Sequence, residues 1–201
     1  LGAAVPVGRY ISATATRSDS SYSTFTDTSE FSRNVAAVSG TQASITVDTA
    51  SDTSDGDTTS LSTLLANKGA DGLVSLREAI TAANNTANGA GGADKILFSI
   101  AGSGPHSIAL ASVLPTLTDA VIIDGSSEPD FAGTPVVELS GAAAGTDADT
   151  THGLVLGSGS SGSTIKGLVI NRFAGSGIQV DSGSGNNLIT GNYLGTDTSG
   201  L

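Results

Sequence analysis

GLVLGSGSSGSTIKGLVINRFAGS (residues 153–176) and GIQVDSGSGNNLITGNYLGTDTSG (residues 177–200) align without a gap at an offset of 24 residues. Gly153 falls over Gly177, Leu154 over Ile178, Leu156 over Val180, Ile165 over Ile189, Gly167 over Gly191 and Ile170 over Leu194. Aliphatic positions and turn positions therefore recur together. A unit of this length, made of short aliphatic runs and turns, cannot bury its own apolar side chains and does so only by stacking on neighbours, as a solenoid does. The LxxLxLxxN pattern of a leucine-rich repeat is absent, and the runs are too brief for the long alternating strands of a β-sandwich. The spacing predicts an all-β fold, a parallel β-helix. Inward Ile, Leu and Val form ladders down its axis, and Gly and Asn supply the positive φ angles of its corners.

Upstream of the repeat the same texture continues. Short aliphatic runs separated by Gly, Asn, Asp or Pro occur at 96–100, 108–110, 121–123 and 136–139, and within the repeat at 154–156, 165–170, 178–180 and 188–194. One helix precedes them. Ser75 with Glu78 three residues later matches a capping box, and Leu76, Ala79, Ile80 and Ala83 fall at i, i+3, i+4 and i+7. A helix over about 75–84 with one apolar face is well placed to cap the N-terminal end of a solenoid, whose uncovered backbone groups would otherwise invite aggregation. Residues 48–60, DTASDTSDGDTTS, hold no core-forming residue and read as an acidic loop after a short strand at 45–47.

Residues 1–40 differ from residues 41–201. They are rich in Ser and Thr with scattered aromatics and read as an extended arm, in which Ile11, Ala13 and Ala15 alternate with hydroxyl residues after Tyr10. The solenoid reaches Leu201 just as another coil should begin. That pattern gives an assembly expectation: the arm of another copy, or that copy's N-terminal end, adds a strand to the open end. The residues concerned are Tyr10, Ile11, Ala13 and Ala15 on the arm, with Leu194 and Leu201 at the receiving end.

Composition bounds the function. Of 201 residues 38% are hydrophobic but only 4% aromatic, so the core is aliphatic. Nineteen acidic against eight basic residues give a net charge of -11, which repels nucleic acid and anionic membrane surfaces. There is no cysteine for a disulfide or thiolate site. No run approaches the roughly 18 apolar residues of a membrane span. No basic segment followed by an apolar stretch marks a leader, and a start at Leu1 without Met implies processing or a fragment. The low charged fraction of 13%, made up by Ser, Thr, Gly, Asn and Asp, is the texture of secreted or cell-surface repeat proteins.

The segment Ser75-Leu76-Arg77-Glu78-Ala79-Ile80, followed by Asn84, resembles the SLREAI…AN signature of CSLREA-domain, parallel β-helix repeat proteins, which are large secreted bacterial surface proteins. Blocks at 93–98, 102–108, 114–117, 121–125, 163–173 and 191–197 are similar to the family's successive blocks, so the resemblance covers roughly residues 43–201. It implies a right-handed parallel β-helix on an extracellular protein, usually without a demonstrated reaction. Val74 stands where the family often has Cys, which removes a thiol role.

Parallel β-helices also host polysaccharide-cleaving enzymes, so the residues must decide. Glycoside hydrolysis needs two carboxylates held roughly 5 to 9.5 Å apart. The NTD, DD, GHG and RIK set of polygalacturonases is missing, and the repeat region's basic residues are Lys166 and Arg172 alone. No GxSxG, HExxH or P-loop pattern occurs. His106 and His152 lie beside turn residues and read as hydrogen-bonded turn histidines, and Asp124 and Asp197 read as turn acids. Asn84-Asn85-Thr86 is a glycosylation sequon, against whose use the bacterial resemblance argues. Asp48, Asp52, Asp55 and Asp57 are the candidate ligands for calcium, the single cofactor considered, although their spacing is not that of an EF-hand. The expected function is a non-catalytic extracellular structural or adhesive protein that self-assembles head to tail into a fibre or surface layer. Its expected partners are copies of itself, further β-helix coils or glycans, with no nucleic acid and no membrane insertion. The alternative is a polysaccharide-binding or polysaccharide-cleaving β-helix.

Overall fold

The computed structural model describes residues 42–201 and, before them, four short strands: β1 (Tyr10–Ile11), β2 (Thr16–Ser18), β3 (Phe25–Thr28) and β4 (Val35–Ala36). The chain divides into two compact units, Leu1–Gly40 and Thr41–Leu201. In the first, β1 pairs antiparallel with β4, setting Tyr10 opposite Ala36 and Ile11 opposite Val35. β2 pairs antiparallel with β3, and an irregularity between Arg17 and Ser18 brings Ser18 opposite Phe25. Tyr10 and Ile11 are thus paired within their own unit and do not run as a lone extended strand. Ala13 and Ala15 lie outside the described residues.

The second unit runs β5 (Ser44–Val47), α1 (Leu61–Ala66), α2 (Leu76–Asn84), β6 (Asp94–Phe98), β7 (His106–Ala109), β8 (Val121–Asp124) and β9 (Val137–Ser140). It continues with β10 (Leu154–Leu156), β11 (Thr164–Lys166), β12 (Leu168–Asn171), β13 (Ile178–Val180), β14 (Leu188–Thr190) and β15 (Tyr193–Leu194). It is mostly β, with parallel sheets, few helices and no closed barrel. The sheets have the orders β14-β11-β8-β6-β5, β15-β12-β9-β7 and β10-β13. Every pairing within them is parallel.

Register follows the sequence repeat. Leu154 opposes Ile178, Thr164 opposes Leu188 and Val169 opposes Tyr193, each partner 24 residues on. Because side chains alternate across a strand, parallel pairing in this register stacks like on like. Ile45, Ile96, Ile123, Ile165 and Ile189 oppose one another in succession across one sheet. Ile108, Leu139, Ile170 and Leu194 do the same across another. These two ladders, with Leu117, Leu154 and Leu156, supply much of the aliphatic core. Upstream of residue 153 the pairing residues stand further apart in sequence, because longer connections separate the strands.

The runs at 165–170 and 188–194, each continuous in sequence, are broken by glycine corners. Gly167 at φ 69° separates β11 from β12, and Gly191 at φ 62° separates β14 from β15. These two positions share a backbone conformation but not surroundings. A Cβ on Gly167 would lie 2.6 Å from the Ser126 amide nitrogen, whereas one on Gly191 would meet nothing within 4 Å. Gly191→Ala should cost only the left-handed conformation, about 1 to 2 kcal/mol. Gly167→Ala adds overpacking of about 1 to 3 kcal/mol. Urea denaturation of the two variants should rank them in that order.

α2 forms where its sequence places it. Ser75 is its N-cap, with Glu78 completing the reciprocal pair, and Leu76, Ala79, Ile80, Ala82 and Ala83 are buried. It packs on β5 and β6. α1 was not anticipated. Ser60 and Thr63 cap it reciprocally, and Leu61 and Leu64 are buried.

Candidate functional site: the exposed sheet edge at β14 and β15

Each aliphatic ladder ends on an exposed member. In the first, Ile165 is fully buried and Ile189 is 40% exposed; in the second, Ile170 is fully buried and Leu194 is 47% exposed. Leu156, fully buried, opposes Val180, 46% exposed. Leu188 beside them is 55% exposed. Ile189, Leu194 and Val180 thus stand opposite residues buried one repeat earlier, whereas Leu188 opposes the half-buried Thr164. Leu194 lies on this edge; Leu201 is almost fully exposed in the turn that follows, its carbonyl accepting from the Asp197 amide at 3.2 Å.

What joins one repeat to the next is visible between residues 153–176 and 177–200. Backbone bonds run from Leu188 N to Ser163 O (2.8 Å) and from Gly195 N to Ile170 O (2.9 Å). Two asparagines add side-chain ties. Asn187 Oδ1 accepts from Ser163 N at 2.9 Å, and Asn192 Oδ1 accepts from Leu168 N at 3.0 Å while its Nδ2 donates to Ile165 O at 2.9 Å. An Asn side chain presents a donor and an acceptor together, so it can bridge amide groups that a corner glycine takes out of the ladder. Sequence reasoning assigned Gly and Asn to corners in general and missed these ties, because Asn187 and Asn192 align with Ser163 and Leu168 and the repeat therefore carries no recurring Asn to mark them.

At the opposite edge, β5 packs against both helices, and a polar network fastens them. Arg77 donates from Nε to Asp52 Oδ1 (2.9 Å) and from Nη2 to Asp52 Oδ2 (2.8 Å), and its two terminal nitrogens also reach Val113 O and Ser112 O. Asp52 accepts in addition from Ala111 N. One planar fork thus ties the helix to two other segments. Arg77→Lys keeps the charge but loses the bidentate geometry. It should cost about 1 to 2 kcal/mol, read from the urea midpoint.

The four candidate calcium ligands are distributed through this region. Asp48 pairs with Lys68 at 2.8 Å and accepts from Val74 N, Asp52 holds Arg77, and Asp55 accepts from Ala70 N. Asp57 accepts from the Thr59 hydroxyl and amide, which hold its carboxyl below the usual range. Among the described residues no three or more His, Asp or Glu side chains come together as metal ligands. The expected grouping of Asp48, Asp52, Asp55 and Asp57 about calcium is therefore not formed, because each carboxylate is engaged by protein donors.

His152 is a hydrogen-bonded turn histidine: Nδ1 accepts from Ser176 N at 2.9 Å, which leaves Nε2 as the donor to Asp149 O at 3.0 Å. Asp124 and Asp197 both cap turns, accepting from Ser126 N and Ser199 N. Asn84 of the sequon uses both side-chain atoms, donating to Thr116 O and accepting from Thr118 N. Glu138 is pushed up by burial, yet the Ser107 and Asn171 hydrogen bonds and the Arg172 guanidinium outweigh this and hold it below the usual range.

Asp94 is the opposite case. It is 2% exposed, Oδ1 accepts from Ala43 N, and Oδ2 has no partner. Burial, against the Ala43 hydrogen bond and with Asp119 nearby, pushes its carboxyl up. The folded protein therefore holds this proton to higher pH than the unfolded chain does. The resulting stability is present below the ordinary Asp range and is lost as pH rises through the raised value. Asp94→Asn should gain on the wild type between about pH 4 and pH 7 in urea melts.

Taken together, the geometry defines a mostly β, parallel-stranded protein with an aliphatic sheet edge exposed at β14 and β15. No family model, curated protein or solved structure matches the chain. Among the described residues no helix is long and apolar enough to cross a membrane.

Proposed function

We propose that residues 41–201 form a right-handed parallel β-helix of the CSLREA kind, and that the protein is a non-catalytic extracellular scaffold that assembles through the open edge at β14 and β15. The observation that carries this reading is that Ile189, Leu194 and Val180 are exposed where their counterparts one repeat earlier are buried. An edge with this register and these side chains is a template for one more parallel layer. Right-handed crossover is the overwhelmingly preferred hand for parallel strands in one sheet.

The partner that fits is residues 1–40 of a second copy. The ladders there are two-stranded and only a few residues long, and two-stranded ladders are marginal alone. Pairing with a sheet edge would supply backbone hydrogen bonds that a two-stranded ladder leaves open. The surface location rests on the low charged fraction and the family resemblance.

Sedimentation velocity on the full chain and on a chain lacking residues 1–40 tests the reading. The full chain should associate with increasing concentration, and both the truncated chain and Leu194→Asp should remain monomeric. A monomeric full chain, or a truncated chain that associates equally well, would overturn the assembly. Release of new reducing ends or unsaturated uronates from a glycan panel would overturn the non-catalytic assignment.

A further inference from the structure

We propose that His106 is a proton-operated latch: protonation at Nε2 draws Glu128 and Asp130 onto the imidazole and tightens the two chain segments those carboxylates hold. The inference is independent of the scaffold reading. His106 opens β7 and is only 6% exposed, and its Nε2 is buried without a hydrogen-bond partner. Two carboxylate oxygens stand close to that nitrogen, Glu128 Oε1 at 3.6 Å and Asp130 Oδ2 at 3.5 Å. Both lie beyond the roughly 2.7 to 3.2 Å of an N–H···O bond.

A neutral ring cannot serve this position well. With a lone pair on Nε2 it faces two acceptors, and with a hydrogen there it has one donor for two oxygens. A charged ring attracts both, and a charge-assisted bond is shorter and stronger than a neutral one. Each carboxylate is also tied to backbone. Glu128 Oε2 accepts from Ile100 N at 3.0 Å, and Asp130 Oδ2 accepts from Gly104 N at 2.6 Å. Gly104 lies against the ring, since a Cβ there would be 3.4 Å from the His106 Cδ2. Drawing the carboxylates inward therefore pulls on the amides of Ile100 and Gly104.

Among the described residues Glu128 and Asp130 are the charged groups within 4 Å of the ring nitrogens. Residues 99–105 carry none. β9, which pairs with β7, sets Val137 beside His106, while its Glu138 is held by Asn171 and Arg172. Gly104, Asp130, Thr134 and Thr198 line a cavity of about 350 Å³ next to the latch, and Asp197, which precedes Thr198 in the chain, accepts from Ser199 N.

Amide exchange by NMR on the full chain, followed from about pH 8 to about pH 5 and corrected for intrinsic rates, tests this. The ring of His106 is titrated in the same samples, with His152 as the internal comparison. Exchange at Gly104 and Ile100 should slow about tenfold as His106 takes up its proton, and His106→Gln should abolish the slowing. Asp130→Asn, which keeps an acceptor for Gly104 N at a partly exposed position, should reduce the slowing at Gly104, and it decides the matter if the histidine variant does not fold. Protection that does not follow the His106 titration, that persists in His106→Gln, or that is undiminished at Gly104 in Asp130→Asn, would overturn the latch.

Discussion

Glu78→Ala should lower the unfolding free energy by about 3 to 5 kcal/mol, among the larger losses a single substitution can produce here. Glu78 is 1% exposed, so the energetic question is how a buried carboxylate is satisfied. Its Oε1 accepts from Asp55 N at 2.8 Å and Gly56 N at 2.7 Å, and its Oε2 accepts from Ser75 N at 2.9 Å and the Ser75 hydroxyl at 3.1 Å. Three of these donors are backbone amides that alanine would leave without this acceptor; that of Ser75 is buried, at about 1 to 3 kcal/mol, and those of Asp55 and Gly56 are part-buried and lose less. Glu78→Gln keeps the shape but turns one end into a donor facing donors, so it should retain only part of the stability. The measurement is urea denaturation of both variants. A loss under about 1 kcal/mol for Glu78→Ala would show that water replaces the carboxylate and that the 55–56 segment is not held by it.

The same residue shows how far sequence could carry the reading. Ser75 and Glu78 were recognisable as a helix start because a capping box is local, three residues long and chemically specific. That Oε1 also gathers the amides of Asp55 and Gly56 was not recognisable, since it depends on how an irregular segment folds back over 22 residues or more. The acidic residues of 48–57 suffered from the same limit. Their composition suggested a cation, whereas Lys68, Arg77 and several amides, all remote in sequence except that of Thr59 on Asp57, occupy them. α1 is one and a half turns long, too short for a periodic pattern to register, and its anchors are only Leu61 and Leu64.

The ladders, by contrast, were readable almost residue by residue. A gapless 24-residue offset states the register directly, because in parallel pairing aligned residues become neighbours. Where connections lengthen, as between Ile123 and Ile165, the alignment fails although the ladder does not, so the earlier layers were recognised as strands without their partners. The His106 cluster combines both difficulties. Its histidine was noted, but its two carboxylates arrive from a connection whose length varies between layers.

The second large effect uses the repeat as its own control. Ile165→Asp should cost more than about 4 kcal/mol, because it removes a buried aliphatic side chain and sets an unpaired charge among Ile123 and its neighbours. Ile189→Asp makes the same chemical change at the opposing residue 24 positions on, where the site is 40% exposed. There the carboxylate keeps its water and the loss for the isolated chain should be about 1 kcal/mol or less. Thermal and urea melts at low protein concentration give both values. If the two losses are equal, the edge is already covered within one chain. If they differ as expected, the same Ile189→Asp variant becomes a clean probe of assembly, since it leaves the monomer nearly as stable while setting a charge where a new layer would have to pack. Loss of association at unchanged monomer stability would then place the contact on this edge. Association that survives the charge would move it elsewhere on the molecule.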